Sequence, residues 1–125
     1  MQRILICGDR NWKNFQLILE TLLEEHKREP VETVIHGAAQ GADTLGGYAA
    51  ERLGIPVLSF PADWRKYGRN AGPVRNRTQL KEGRPTLGLA FHDFLENSKG
   101  TKDMVKLLWN AGIPVHIISS RGEKK

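Results

Sequence analysis

Five short apolar runs, separated by segments of helical period, constrain this chain more than any other feature. They read Arg3–Cys7 (RILIC), Glu32–His36 (ETVIH), Pro56–Phe60 (PVLSF), Thr86–Phe91 (TLGLAF) and Pro114–Ile118 (PVHII). Strands without polar alternation are covered on both faces, as in a parallel sheet with helices above and below. The intervening segments supply those helices. Phe15, Ile18, Leu19, Leu22 and Leu23 make one stripe of a first helix, and a second runs from about Ala42 to Leu53. A third is expected between Gly72-Pro73 and a stop at Gly83, with only Val74 and Leu80 to bury. A fourth takes Thr101 as N-cap and Met104, Val105, Leu107, Leu108 and Ala111 as its apolar face, ending at Gly112 and Pro114. Gly-Ile-Pro-Val occurs at residues 54–57 and again at 112–115, each time carrying a helix end into a buried strand. The repetition predicts an α/β fold: a Rossmann-like three-layer sandwich with a five-stranded parallel sheet, strand order 3-2-1-4-5 and right-handed crossovers.

A chain of 125 residues carries one such domain, assigned here to residues 1–120, with residues 121–125 as a basic, frayed C-terminal tail. No apolar run approaches the roughly 20 residues of a membrane span, and Met1-Gln2-Arg3 enters a strand with no cleavage site behind it. The single cysteine, Cys7, excludes an internal disulfide framework and reads as an inert core residue. A cytoplasmic location is the expectation. The net charge of +5 is unevenly spread: residues 1–64 balance to −3 and residues 65–125 to +8. Arg65, Lys66, Arg69, Arg75, Arg77, Lys81 and Arg84 fall close together, which reads either as a solvated face or as a surface for an anionic partner.

In open parallel sheets, ligands sit beyond the carboxyl ends of the strands, so the segments just after each run are the informative ones. They are Gly8-Asp9-Arg10-Asn11-Trp12, then Gly37-Ala38-Ala39-Gln40-Gly41-Ala42-Asp43, then the long loop Pro61–Ala71, then His92-Asp93 followed by Ser98-Lys99-Gly100-Thr101. The second segment is a Gly-rich strand-to-helix turn, suited to an anion at a helix N-terminus, yet neither a P-loop nor the GxGxxG fingerprint. Ser98, Gly100 and Thr101 open a second helix in the same way. Arg10 reads as a phosphate clamp and Asp9 as a ribose or arginine partner, or the two form a structural ion pair. Asp43 reads as a helix cap or a ligand contact, and Arg75, on a helix poor in apolar residues, faces the cleft or solvent. Trp64 is expected to pin its loop to the body and Trp12 to pack over the first helix. His26, His36, His92 and His116 show no metal-ligand spacing, so no metal site is expected.

The series GDRNW, GAAQGAD, FPADWRKYGRNAGPVRN, AFHD, SKGT and GIPV resembles the YspA-like branch of the SLOG superfamily over about Ile4 to Val115. These are Rossmann-like domains related to the LOG phosphoribohydrolases and to the DNA-processing protein DprA. The resemblance implies a nucleotide-type ligand held by Gly8, Asp9, Arg10, Gly37, Ala38, Gly41, Asp43, Arg75, Asn76, Ser98, Gly100 and Thr101. It also implies self-association as a homodimer or higher assembly, to which the sequence adds the bulky run Leu107-Leu108-Trp109. Where many of the branch read Gly-Gly-Ala, this chain has His36-Gly37-Ala38, an imidazole at the pocket edge or a space-filler. The LOG enzymes carry Arg-Lys-x-x-Met, matched loosely by Arg75-Asn76-Arg77-Thr78-Gln79-Leu80. They also carry Pro-Gly-Gly-x-Gly-Thr-x-x-Glu, matched by Gly100-Thr101 with Met104 at the place of the catalytic glutamate.

Three functions follow for testing. The first is a nucleotide-binding sensor, carrier or sequestering module with no cofactor of its own. The second is a nucleotide hydrolase or N-glycosidase in which Asp9, Asp93 or Asp103, or else Asp43, replaces the missing glutamate, with His92-Asp93 as an acid–base pair. The third is binding of single-stranded nucleic acid through the Arg65–Arg84 segment.

Overall fold

In the computed structural model, which describes residues 1–124, all five expected strands form. They are β1 (Gln2–Gly8), β2 (Val31–His36), β3 (Val57–Ser59), β4 (Leu87–Phe91) and β5 (Val115–Ile118). The sheet is parallel throughout, in the order β3-β2-β1-β4-β5. The helices are α1 (Phe15–Arg28), α2 (Ala42–Arg52), α3 (Trp64–Tyr67), α4 (Ala71–Gly83) and α5 (Lys99–Asn110). Alternate residues of β1 serve opposite faces. Ile4 and Ile6 join Ile18, Leu22, Ala49 and Ala50 under α1 and α2, while Leu5 and Cys7 join Met104, Val105 and Leu108 under α5. The chain reverses its direction of growth between β1 and β4, so the crevice at their carboxyl ends is the switch point where open sheets hold ligands.

Local structure differs from the sequence expectation in four places. The Pro61–Ala71 loop contains α3, capped by the Asp63 carboxylate (Lys66 N–H, 3.0 Å), and a 3₁₀ turn at Gly68–Asn70. Trp64 does not pin that loop: it stands 62% exposed, whereas Trp12 is buried with its ring 5.6 Å from that of Phe91. The N-cap of α5 is Ser98, whose hydroxyl accepts the Thr101 N–H at 3.1 Å. Thr101, three residues inside, turns its own hydroxyl to the Gly8 carbonyl at 3.0 Å. Finally, α4 ends at Gly83 as expected, but the left-handed residue that closes it is the C-cap Arg84, at φ 49°, and not the glycine. Gly83 serves close packing instead, since a Cβ there would lie 3.1 Å from Ile35.

The inward face of α4 is itself a correction. Val74 and Leu80 are only half-buried, and the buried positions are Ala71, Asn76, Gln79 and Gly83. A helix that turns two amides inward faces a polar cavity on that side, while Gly83 and the half-buried Leu80 keep it on the apolar core. At the C-terminus, Ser119 N–H donates to the Glu123 carbonyl (2.9 Å) and Ile118 bridges Lys124, so residues 119–124 fold back as a tight turn rather than fraying. Lys125, the last residue of the expected tail, lies outside the described residues.

Candidate ligand-binding site

Backbone geometry brings the strand ends together. Gly8 adopts φ +154° with its α-carbon against the Phe91 carbonyl, leaving no room for a Cβ, and the Asp9 N–H donates to that same carbonyl at 2.9 Å. Gly41, at φ +76°, lets the second loop close over Asp9 and Arg10, and the Ala42 N–H donates to the Asp9 carbonyl at 3.1 Å. Two strand-to-helix turns are thereby clasped to β1. Ala38, between them, takes a left-handed φ of 59° without being glycine, a local strain of the kind concentrated at binding loops.

Between these turns and the first turn of α5 lies a cavity of about 480 Å³, within the range of roughly 300–1,000 Å³ usual for small-molecule sites. Its mouth carries Arg10, Lys99 and Gly100; its floor is Cys7, Gln79 and Met104. The first turn of α5 leaves N–H groups without helical partners and directs the positive end of the helix dipole into the opening. A second chamber of about 620 Å³ adjoins it, sharing Arg10, Arg75 and Asn76 and walled further out by Gly37, Ala38, Trp64 and Asp103.

Arg75 stands between the two chambers. Its Nη1 donates to the Gly37 carbonyl at 2.6 Å and its Nε to Asn76 Oδ1 at 2.9 Å, so the guanidinium is held by a fork of two bonds. Asn76 in turn donates to Asp103 (2.9 Å) and to the Gly100 carbonyl (3.3 Å), tying α4 to the start of α5. Asp43, 5% exposed, accepts the Gly37 N–H at 2.9 Å. Burial pushes its carboxyl up from 3.8 to about 6, against the opposing pull of that N–H and of Arg75. Burial likewise pushes the Cys7 thiol up, with the Asp43 charge adding to it, so the thiol stays protonated.

A family model for YspA, cpYpsA-related SLOG proteins matches residues 2–67. The chain belongs to that family. It is also 35% identical over 121 residues to the gene 61 protein of Mycobacterium phage D29, covering 92% of this chain and 94% of the relative. No solved structure matches. Membership associates this SLOG chain with nucleotide-related function in general, and the matched segment carries β1, both Gly-rich turns and Asp43.

The sequence candidates divide by where this SLOG fold places them. Gly8, Asp9, Arg10, Asp43, Arg75, Asn76, Ser98, Gly100 and Thr101 all line the first cavity, and Gly37 and Ala38 the adjoining chamber. Gly41 lines a shallower recess that shares Arg10. Ser98 spends its hydroxyl on the helix cap, and Asp9 accepts the Asn11 N–H at 2.9 Å. No ion pair joins Asp9 to Arg10 among the described residues. Asp103 faces the second chamber, but Asp93 lies on the surface, where its carboxylate takes the Ser120 N–H at 2.7 Å and is held below the usual range by it. His36 points away, with its Nε2 edge against Gly47 and its Nδ1 accepting the Ala38 N–H, and burial lowers its pKa; it fills space. Sequence reasoning gave no role to Gln79, which lines the cavity yet looks in the sequence like any solvated helical glutamine. No cluster of three metal-binding side chains occurs among the described residues, and none of their helices is long and apolar enough to cross a membrane.

Proposed function

We propose that the cavity binds a nucleotide or nucleotide-derived phosphate ligand, and that the protein acts as a sensor, carrier or sequestering module for it. One observation carries this reading: the first turn of α5, with Lys99, opens into the same cavity as Arg10 and Arg75. Two cations and a helix N-terminus at one mouth, with Arg75 on the wall behind them, suit a phosphate, and the mixed floor suits the sugar beyond it. Met104, 1% exposed on that floor, has no proton to give or take. The test is mass spectrometry of small molecules released on denaturing the purified protein, followed by calorimetric titration of what is found. Recovery of no phosphorylated compound, together with no binding of nucleoside monophosphates or ribose 5-phosphate, would sink the reading.

A hydrolytic reading has one observation in its favour. Asp43 lines the cavity and titrates near 6, a value suited to donating a proton close to neutral pH. Release of free base from a nucleoside monophosphate, lost in Asp43→Asn, would decide for it.

A further inference from the structure

Gln79 is 2% exposed and lines the cavity, yet its carboxamide is only half used. Its Nε2 donates to Asn76 Oδ1 at 3.3 Å and lies 3.7 Å from Met104 Sδ. Its Oε1 is buried and has no hydrogen-bond partner among the described residues. The orientation is imposed by neighbours. Asn76 Oδ1 already receives Arg75 Nε, and Asn76 Nδ2 is committed to Asp103 and Gly100, so a reversed Gln79 amide would set oxygen against oxygen. What remains free is therefore an acceptor, fixed in direction, closed just beneath the floor of the cavity in the unliganded chain, so that a ligand must shift the floor to reach it. A buried amide oxygen without a donor is a cost that a methionine or leucine at this position would avoid.

Resting on the nucleotide reading above, we propose that Gln79 Oε1 is the specificity-determining acceptor of this site, taking a hydrogen bond from a sugar hydroxyl of the bound phosphate ligand. The position selects the sugar. Gln79 touches Met104, which lies four residues beyond Gly100 on α5, just over one helical turn or about 6 Å below the phosphate-binding end. That depth fits a hydroxyl on the sugar bearing the phosphate, with the base directed outward to the second chamber, where Trp64 and Arg69 stand. An N–H on the base is the other source of the same donor chemistry.

The experiment titrates the full chain and its Gln79→Met variant with ribose 5-phosphate, AMP, 2′-deoxy-AMP, 3′-deoxy-AMP, IMP and inorganic phosphate. The expected result is that the wild type prefers AMP over one deoxy analogue by roughly tenfold. Gln79→Met loses that preference, and its affinity for inorganic phosphate falls by less than its affinity for AMP. The unliganded variant should also melt a few degrees higher than wild type, because the unpaired acceptor is gone; a Gln79 that merely held the fold would give a lower melting temperature. Equal ribose preference in wild type and variant overturns this inference and leaves the nucleotide reading standing. A Gln79-dependent preference for AMP over IMP, without a deoxy effect, overturns it in favour of a base donor. Binding of none of these probes overturns the nucleotide reading and this inference with it.

Discussion

Replacing Asp43 by asparagine should change how stability depends on pH more than it changes stability at any one pH. In the folded chain the Asp43 carboxyl titrates at about 6, and its ordinary value is 3.8. Between those values the folded state holds a proton that the unfolded state has released. Stability therefore falls as pH rises from about 4 through 6 and stays lower above. At about 1.36 kcal/mol per pKa unit, the gap corresponds to roughly 3 kcal/mol at neutral pH. Asparagine keeps an oxygen for the Gly37 N–H but never ionises. Its amide nitrogen replaces one carboxylate oxygen, a cost independent of pH, so the diagnostic is the slope. Urea unfolding of both proteins from pH 4 to pH 8 reads it. The asparagine variant should gain about 3 kcal/mol relative to wild type across that range, or about 1–3 M in midpoint for ordinary urea slopes. A difference that stays flat with pH, or that moves in favour of wild type as pH rises, would refute the account of a desolvated carboxyl.

Further outcomes follow from the same geometry. Ser98→Ala should cost about 1 kcal/mol in urea unfolding by removing the cap on α5. Gly46→Ala should destabilise by about 1–3 kcal/mol and by more than Gly88→Ala. The new methyl would meet the branched Ile6 at 2.7 Å, and its Cβ at 3.0 Å, in the first case, and in the second the tip of Leu108 at 2.7 Å with Val115 at 3.2 Å. Arg75→Ala should weaken binding of ribose 5-phosphate roughly 10–100-fold by calorimetry, with Arg75→Lys a partial rescue, since an ammonium cannot reproduce the fork to Gly37 and Asn76. Incubation with nucleoside monophosphates should release no free base by chromatography, and release that disappears in Asp9→Asn or Asp43→Asn would count against the binding reading.

The sheet was legible because its strands are apolar on both sides, so period and composition agree. The convergence of Gly8, Arg10, Asp43 and Thr101 followed from the order of the strands alone. What was not legible is the underside of α4. Asn76 and Gln79 carry no hydrophobic signal, and the apolar Val74 and Leu80 drew attention to positions that end half-buried. Ser98 and Thr101 are both good caps at a spacing of three, and which one caps depends on the reach of Thr101 to Gly8 across the chain. Trp12 and Trp64 read alike in sequence. They part because Trp12 meets Phe91 in the core, whereas Asp63 starts a helix that leaves Trp64 in solvent. The amide network exists only once α4 and α5 lie side by side, so no local pattern announces it.

The polar underside of α4 also bears on how the molecule breathes. Lifting this helix uncovers Ile35 and Leu80 and trades the amide contacts of Asn76 and Gln79 for water. Lifting α5 bares Met104, Val105 and Leu108. Amide hydrogens of α4 should thus exchange with deuterium at lower opening free energy than those of α5. Anything in the cavity that bonds to Arg75 or Gln79 closes that route, so slowed exchange along Ala71–Gly83 becomes a direct gauge of occupancy.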